Sequence, residues 1–192
     1  MDDIVLIGGG GHCKSVIDVI EQQGEYKIVG IVDQPELLDK EILGYKVVGN
    51  DKELADMAKQ YDNAIITLGH IGNPNRRIEL FNLAIDAGFN MPAIISPRAY
   101  VSIHSMIGKG SIVMHDALIN ANTMIGENCI VNSKALIEHD CIVGPHCHIS
   151  TQATINGGVA VGERSFVGSN STTKQGIVIE KESFIKAGSV VK

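Results

Sequence analysis

The sequence is short of basic side chains: 16 Lys and Arg stand against 22 Asp and Glu, a formal net charge of -6, and the cations are scattered. That balance disfavours a nucleic-acid partner, and the lack of a basic amphipathic run disfavours a membrane surface. Also missing is any stretch near the roughly twenty apolar residues of a membrane span. The acidic start Met1-Asp2-Asp3, followed by only a short apolar run, is not a secretory signal, so the chain is expected in the cytoplasm. Cysteine is scarce, with four residues, which agrees with that compartment.

What is present is a repeat. In steps of six from Val101, positions 107, 113, 119, 125, 131, 137, 143, 149, 155, 161, 167, 179 and 185 are Ile or Val, and only Thr173 breaks the series. Four residues after each aliphatic comes a compact side chain, among them Ala117, Thr123, Cys129, Ala135, Cys141, Cys147 and Ala153. Glycine follows the aliphatic directly at 108, 126, 144, 162 and 168, where a turn is expected to need backbone freedom. A period of six fits neither a helix nor an alternating strand, so the unit is a short strand plus a turn. Three units close a triangular coil, and successive coils pair at about 4.8 Å. Residues 101–190 hold five such coils, with the aliphatics stacked inward on neighbours eighteen residues away. Each contributes on the order of 1.5–3 kcal/mol on burial before entropy, so the solenoid is held together coil on coil.

Composition changes near residue 95, which predicts two domains, 1–95 and 96–192. Residues 4–7 read as a buried strand ending in Gly8-Gly9-Gly10-Gly11-His12, followed by an amphipathic helix and a second strand from Lys27 to Asp33. A helix over Asp51–Tyr61, a strand over Asn63–Gly69, a helix over Asn75–Ala87 and a last strand at Ala93-Ile94-Ile95 complete a Rossmann-like α/β unit with a parallel sheet. The glycine loop presents N–H groups and a helix N-terminus suited to a phosphate, and an acid after the next strand suits a sugar hydroxyl or base edge. A tight strand-to-helix turn accounts for the same glycines equally well. The dinucleotide fingerprint lacks its third glycine, since Cys13 stands there, so an oxidoreductase using a nicotinamide is a minor reading.

Five of the seven histidines lie in the coils. His139, in Ile137-Glu138-His139-Asp140-Cys141, sits at a turn between carboxylates that would fix its tautomer and raise its basicity. One coil away lie Ala121 and Gly157, and beside Asp140 lie Asn122 and Gly158, so this surface is open to a long, thin ligand. His148 lies on the next face between Ile130 and Phe166. A metal site from Cys141, His146, Cys147 and His148 conflicts with the register, which sends Cys147 inward, and no metal is expected.

The glycine loop ending in Gly11-His12, the acid after the second strand, and the coils with Ile137-Glu138-His139-Asp140-Cys141 and a second His nine residues on resemble the bacterial nucleotide-sugar and sialic-acid acetyltransferases of the hexapeptide family. Within that branch the resemblance is to N-acetyltransferases of a UDP-linked 4-amino-4,6-dideoxy-N-acetylglucosamine. It implies a left-handed parallel β-helix, a homotrimer with active sites between subunits, acetyl-CoA as donor and a nucleotide sugar held by the N-terminal domain. It also implies His139 as general base, with Asp140 and Glu138 orienting it. His148 would lie near the thioester, and Gly157 and Gly158 along the pantetheine arm. Gly10, Gly11, His12, Asp33 and Gly69 would form the nucleotide-sugar pocket. The family usually continues into a Gly-x-Pro-Ala segment, whereas this sequence ends at Val190-Val191-Lys192, so nothing is assigned there. Alternatives are O-acetylation of a sialic-acid-like sugar, N-acetylation of a GDP-linked amino sugar, or a non-catalytic trimeric scaffold.

Overall fold

The computed structural model describes residues 1–192. It divides into two compact units, Met1–Gly69 with Asn75–Ile94, and His70–Pro74 with Ile95–Lys192.

The first unit contains β1 (Asp2–Ile7), α1 (Gly11–Gln23), β2 (Tyr26–Val32), β3 (Glu41–Ile42), β4 (Tyr45–Gly49), α2 (Leu54–Met57), β5 (Asn63–Ile66) and α3 (Asn75–Ala87). Its sheet runs β3-β4-β2-β1-β5, parallel except for the edge strand β3. Ile4, Val5, Leu6 and Ile7 are buried because helices cover a parallel sheet. Helix α1 buries Cys13, Val16, Ile17, Val19 and Ile20 and stops at Gly24, whose φ of 68° only glycine adopts freely. Burial there pushes the Cys13 thiol up to about 11.

Three elements differ from expectation. The helix expected over 51–61 is a 3-10 turn at Asp51–Glu53 and a single α turn, because of the residues in that turn only Leu54 is buried and short helices need packing. The strand expected to reach Gly69 ends at Ile66, where Arg77 Nη1 donates to the carbonyls of Ile66 (2.7 Å) and Leu68 (2.8 Å). Arg77 thus lies on the buried face of α3 with Leu80, Phe81 and Ala84, while Leu83 faces solvent. The strand beginning at Ile94 is not in this sheet. Ile95 opens the coils, with Ser96 N–H donating to the Val113 carbonyl (2.9 Å).

The second unit is a parallel β-helix of two-residue strands forming three sheets of six, five and six strands. Registers fall on the eighteen-residue coil, Ile137 pairing with Ile119 and Ile155. The inward column from Val113 to Ile179 is buried, and Cys129, Cys141 and Cys147 lie within it as compact core residues. Their thiols donate to carbonyls of the next coil, at 3.2 Å to Gly144, 3.2 Å to Asn156 and 3.1 Å to Gly162.

The structure corrects the reason for the repeat's glycines. From Ile107 onward, left-handed backbone occurs three residues after each inward position, at Gly110, Asp116, Asn122, Asn128, Lys134, Asp140, His146 and onward to Gly188. A non-glycine there costs on the order of 1 kcal/mol, offset from Asn122 onward by an N–H bond to the previous coil such as Asp140 to Ala121 (3.1 Å). Gly108, Gly126, Gly144, Gly162 and Gly168 do not take positive φ. They are glycine because a Cβ would stand 2.4–2.6 Å from backbone of the adjacent coil.

Candidate active site

Three residues past the inward Ile137, Asp140 takes the left-handed turn conformation (φ 59°). An extended chain sends consecutive side chains to opposite faces. The turn instead lets Asp140 fold back on its neighbour, so that His139 Nδ1 donates to Asp140 Oδ2 at 2.7 Å. The other carboxylate oxygen accepts from Asn122 Nδ2 at 2.6 Å, one coil below. Glu138 accepts from Asn120 Nδ2 at 2.8 Å and from the His139 N–H at 3.4 Å. With Nδ1 protonated toward the carboxylate, Nε2 is the basic nitrogen. Asp140, through that bond and its charge, raises the His139 pKa, with Glu138 adding to it. Asn122, then His139, lowers that of Asp140.

The imidazole lies over the turn of the following coil. A Cβ at Gly157 would stand 2.8 Å from both Cε1 and Nε2 of His139, and Gly158 N–H donates to the His139 carbonyl at 2.9 Å. The absence of a side chain at 157 is what leaves room for the ring. In this chain the side chains of His139 and Asp140 are 53% and 56% exposed, so the pair is open on its outer side.

His148 differs in kind. It is buried, its Nδ1 donating to the His70 carbonyl (2.7 Å) and its Nε2 accepting from Asn132 Nδ2 (3.2 Å). His70 and Phe166 meet the ring edge-on at 5.4 and 5.2 Å, and Phe166 stacks on Phe184. Both ring nitrogens therefore have partners within the unit, and the tautomer is set.

In the first unit the glycine loop separates into two parts. A Cβ at Gly8 (φ 106°) would meet Leu68 N at 2.9 Å, and one at Gly9 would meet Ile42 Cδ1 at 2.5 Å. The turn itself thus requires Gly8, whereas Gly9 is crowded by the ends of the Ile42 and Asp33 side chains. Nothing lies within 4 Å of a Cβ at Gly10 or Gly11, which open α1. Asp33 closes the loop from β2, accepting the N–H groups of Gly9 and of Gln34 (2.7 Å). Gly69 packs on His12, a Cβ there standing 3.2 Å from His12 Cβ. Beside Asp33 a cavity of about 100 Å³ is lined by Gly8, Gln34, Asp51, Leu68 and Arg76, with Arg76 paired to Asp51.

Sequence reasoning had placed Asn122 next to Asp140 without seeing its bond, and had not weighed Asn120, Asn132 or Arg76. The eighteen-residue stacking was a usable signal for Asn120, which lies under Glu138; Arg76, on an exposed helix face, gave none.

A hexapeptide β-helix presenting a carboxylate-paired histidine on an open turn defines an acyltransferase of the hexapeptide class. Residues 3–84 match the PglD N-terminal domain, 122–157 the bacterial transferase hexapeptide (six repeats), and 158–192 the hexapeptide repeat of succinyl-transferase. No curated protein matches the chain. Among solved structures, PerB from Caulobacter crescentus in complex with CoA and GDP-perosamine is 36% identical, with a TM-score of 0.92 over 100% of this chain and 89% of that one. A histidine-to-asparagine variant of perosamine N-acetyltransferase from the same organism, also with CoA and GDP-perosamine, is 35% identical, with a TM-score of 0.93 over 100% and 89%. The acetyltransferase domain of PglB from Neisseria gonorrhoeae is 28% identical, with a TM-score of 0.92 over 100% and 92%. The chain belongs to the nucleotide-sugar acetyltransferase branch of the hexapeptide acyltransferases.

Proposed function

We propose that the protein transfers acetyl from acetyl-CoA to the 4-amino group of a UDP-linked 4-amino-4,6-dideoxy sugar, with His139 as general base. The observation that carries this is the Asn122–Asp140–His139 chain, which holds Nδ1 protonated and leaves Nε2 basic over the side-chain-free turn at Gly157. The sugar nitrogen attacks the thioester carbonyl carbon while Nε2 takes a proton from it. The tetrahedral intermediate then collapses, the C–S bond breaks, and the proton passes from His139 to the departing thiolate. A base of this kind contributes about 10²–10⁴ in rate, and holding both substrates together supplies much of the remainder. Backbone N–H groups at a coil turn stabilise the oxyanion. Glu138, tethered by Asn120, adds negative potential beside the ring.

His148, Gly157 and Gly158 are assigned to the acetyl-CoA side. Gly10, Gly11, His12, Asp33 and Gly69 are assigned to the nucleotide sugar, an assignment supported by the open space over Gly10 and Gly11. The active assembly is a homotrimer in the cytoplasm. Supporting this is a column of exposed apolar side chains, Met106, Met124 and Ile142 at successive coils with Val178 two coils further on, of the kind that marks an interface. No helix is long and apolar enough to cross a membrane.

A GDP-linked amino sugar is the second reading, favoured by the 35–36% identity to proteins solved with GDP-perosamine. Two of the solved Caulobacter structures are of histidine variants in complex with CoA and that sugar nucleotide, which agrees with a central histidine. The test is thiol release from acetyl-CoA with UDP- and GDP-linked 4-amino sugars, their 4-hydroxy counterparts and sialic acids. Turnover with one 4-amino nucleotide sugar, lost in a correctly assembled His139→Ala protein, is expected. Undiminished transfer by that variant removes His139 as base, and a response to hydroxyl acceptors alone replaces the substrate.

A further inference from the structure

Along the coils, the residue after each inward aliphatic donates its N–H to the carbonyl of the aliphatic one coil on. Asn120 donates to Ile137, Glu138 to Ile155 and Lys174 to Val191, and the pattern holds at every such position from Ser96 to Lys174 except one. The exception is Asn156. Its N–H goes to Thr173 Oγ1 at 2.9 Å, and the Thr173 carbonyl accepts Asn156 Nδ2 instead, at 2.6 Å. Strand pairing shrinks there to Thr154 with Thr172, while the rungs on either side pair two residues each.

Thr173 is also the residue that breaks the aliphatic series, and it is only 2% exposed. Valine has nearly the same shape, so packing alone does not call for a hydroxyl here. A buried hydroxyl is costly unless bonded, and this one accepts the N–H that the ladder would otherwise have used. The break falls next to Gly157 and Gly158, the turn on which the His139 ring lies.

We infer that Thr173 is a positioning residue for acetyl transfer: by capturing the Asn156 N–H it opens one bond of the coil ladder and sets the level of the 156–158 turn beneath the His139 imidazole. The inference rests on the proposed role of His139. Valine at 173 would restore the amide-to-carbonyl bond, shift the Gly157 backbone and leave the ring's support misplaced, while suiting the apolar column better than threonine does.

The experiment compares the full chain with Thr173→Val and Thr173→Ser by steady-state acetyl transfer, thermal unfolding and backbone amide NMR. Thr173→Val is expected to melt no lower than the parent yet lose about tenfold in kcat, with KM for the nucleotide sugar unchanged, as a small misplacement of a reacting group does. Thr173→Ser, which keeps the hydroxyl, should recover most of the rate. The amide resonances of Asn156 and Gly157 should move in Thr173→Val and not in Thr173→Ser. Parent-like kcat in Thr173→Val, or unmoved Asn156 and Gly157 amides, overturns the inference. Undiminished transfer by His139→Ala would instead overturn the assignment of the base, and the amide spectra would still decide whether Thr173 sets the turn.

Discussion

Gly157→Ala isolates the geometry of the base from its chemistry. A methyl carbon at 157 would stand 2.8 Å from Cε1 and Nε2 of His139, whereas ordinary contact begins near 3.4 Å, so the ring must retreat by about 0.6 Å. The ring can do so because its side chain is 53% exposed and bonded to protein through Nδ1 alone. Gly157 does not take positive φ, so alanine suits its backbone, and the stiffer unfolded chain favours folding by about 0.4–1 kcal/mol. A misplacement of about 1 Å at a reacting group costs about a hundredfold, so kcat should fall by about ten- to a hundredfold. The assay is thiol release at saturating substrates, with circular dichroism melts alongside to show an intact fold. Parent-like kcat would refute the placement of Nε2 in the reaction, and a collapsed melt would refute the claim that the ring yields in place of the coil.

Gly144→Ala makes the opposite prediction, since its Cβ would meet backbone, Glu163 N at 2.6 Å and Glu163 Cα at 2.9 Å, and the coils cannot part locally; chemical denaturation should show a loss of about 1–3 kcal/mol or more. Asp140→Asn tests the source of the basicity. The bond to Asp140 raises the His139 pKa and the base works as the neutral imidazole, so kcat/KM should climb with pH through a limb above the ordinary histidine value. In Asp140→Asn that limb should move to lower pH while the plateau drops, and an unmoved limb would assign the titration to another group.

The β-helix was legible in the sequence because its signal is repeated at every coil: an inward aliphatic every six residues, a compact residue four further on, and a closure at eighteen that put Ile119, Ile137 and Ile155 in one column. The same counting placed His139 over Gly157 and Asp140 over Asn122, and the run from Glu138 to Asp140 marked the turn. The Rossmann-like unit was legible in its long periodic segments, β1, α1, β2 and α3. It was misread at short ones, because a one-turn helix at Leu54–Met57 and the hand-over at Ile95 are decided by which surface each finds to pack on.

Tertiary structure alone decided the rest. Freedom to adopt left-handed φ was assigned to glycines that in fact serve close approach between coils, because sequence shows where glycine is and not which atoms would meet its Cβ. The arginine clamp of Arg77 on the end of β5 and the burial of His148 depend on contacts distant in sequence, the latter on a carbonyl 78 residues away. Thr173 stood out in the sequence as an interruption, and only the hydrogen-bond ladder showed its use. A hexapeptide register fixes which side chains stack, since that follows from counting; it does not fix which of two adjacent acceptors takes a given N–H, a choice made by differences of tenths of an ångström in the folded chain.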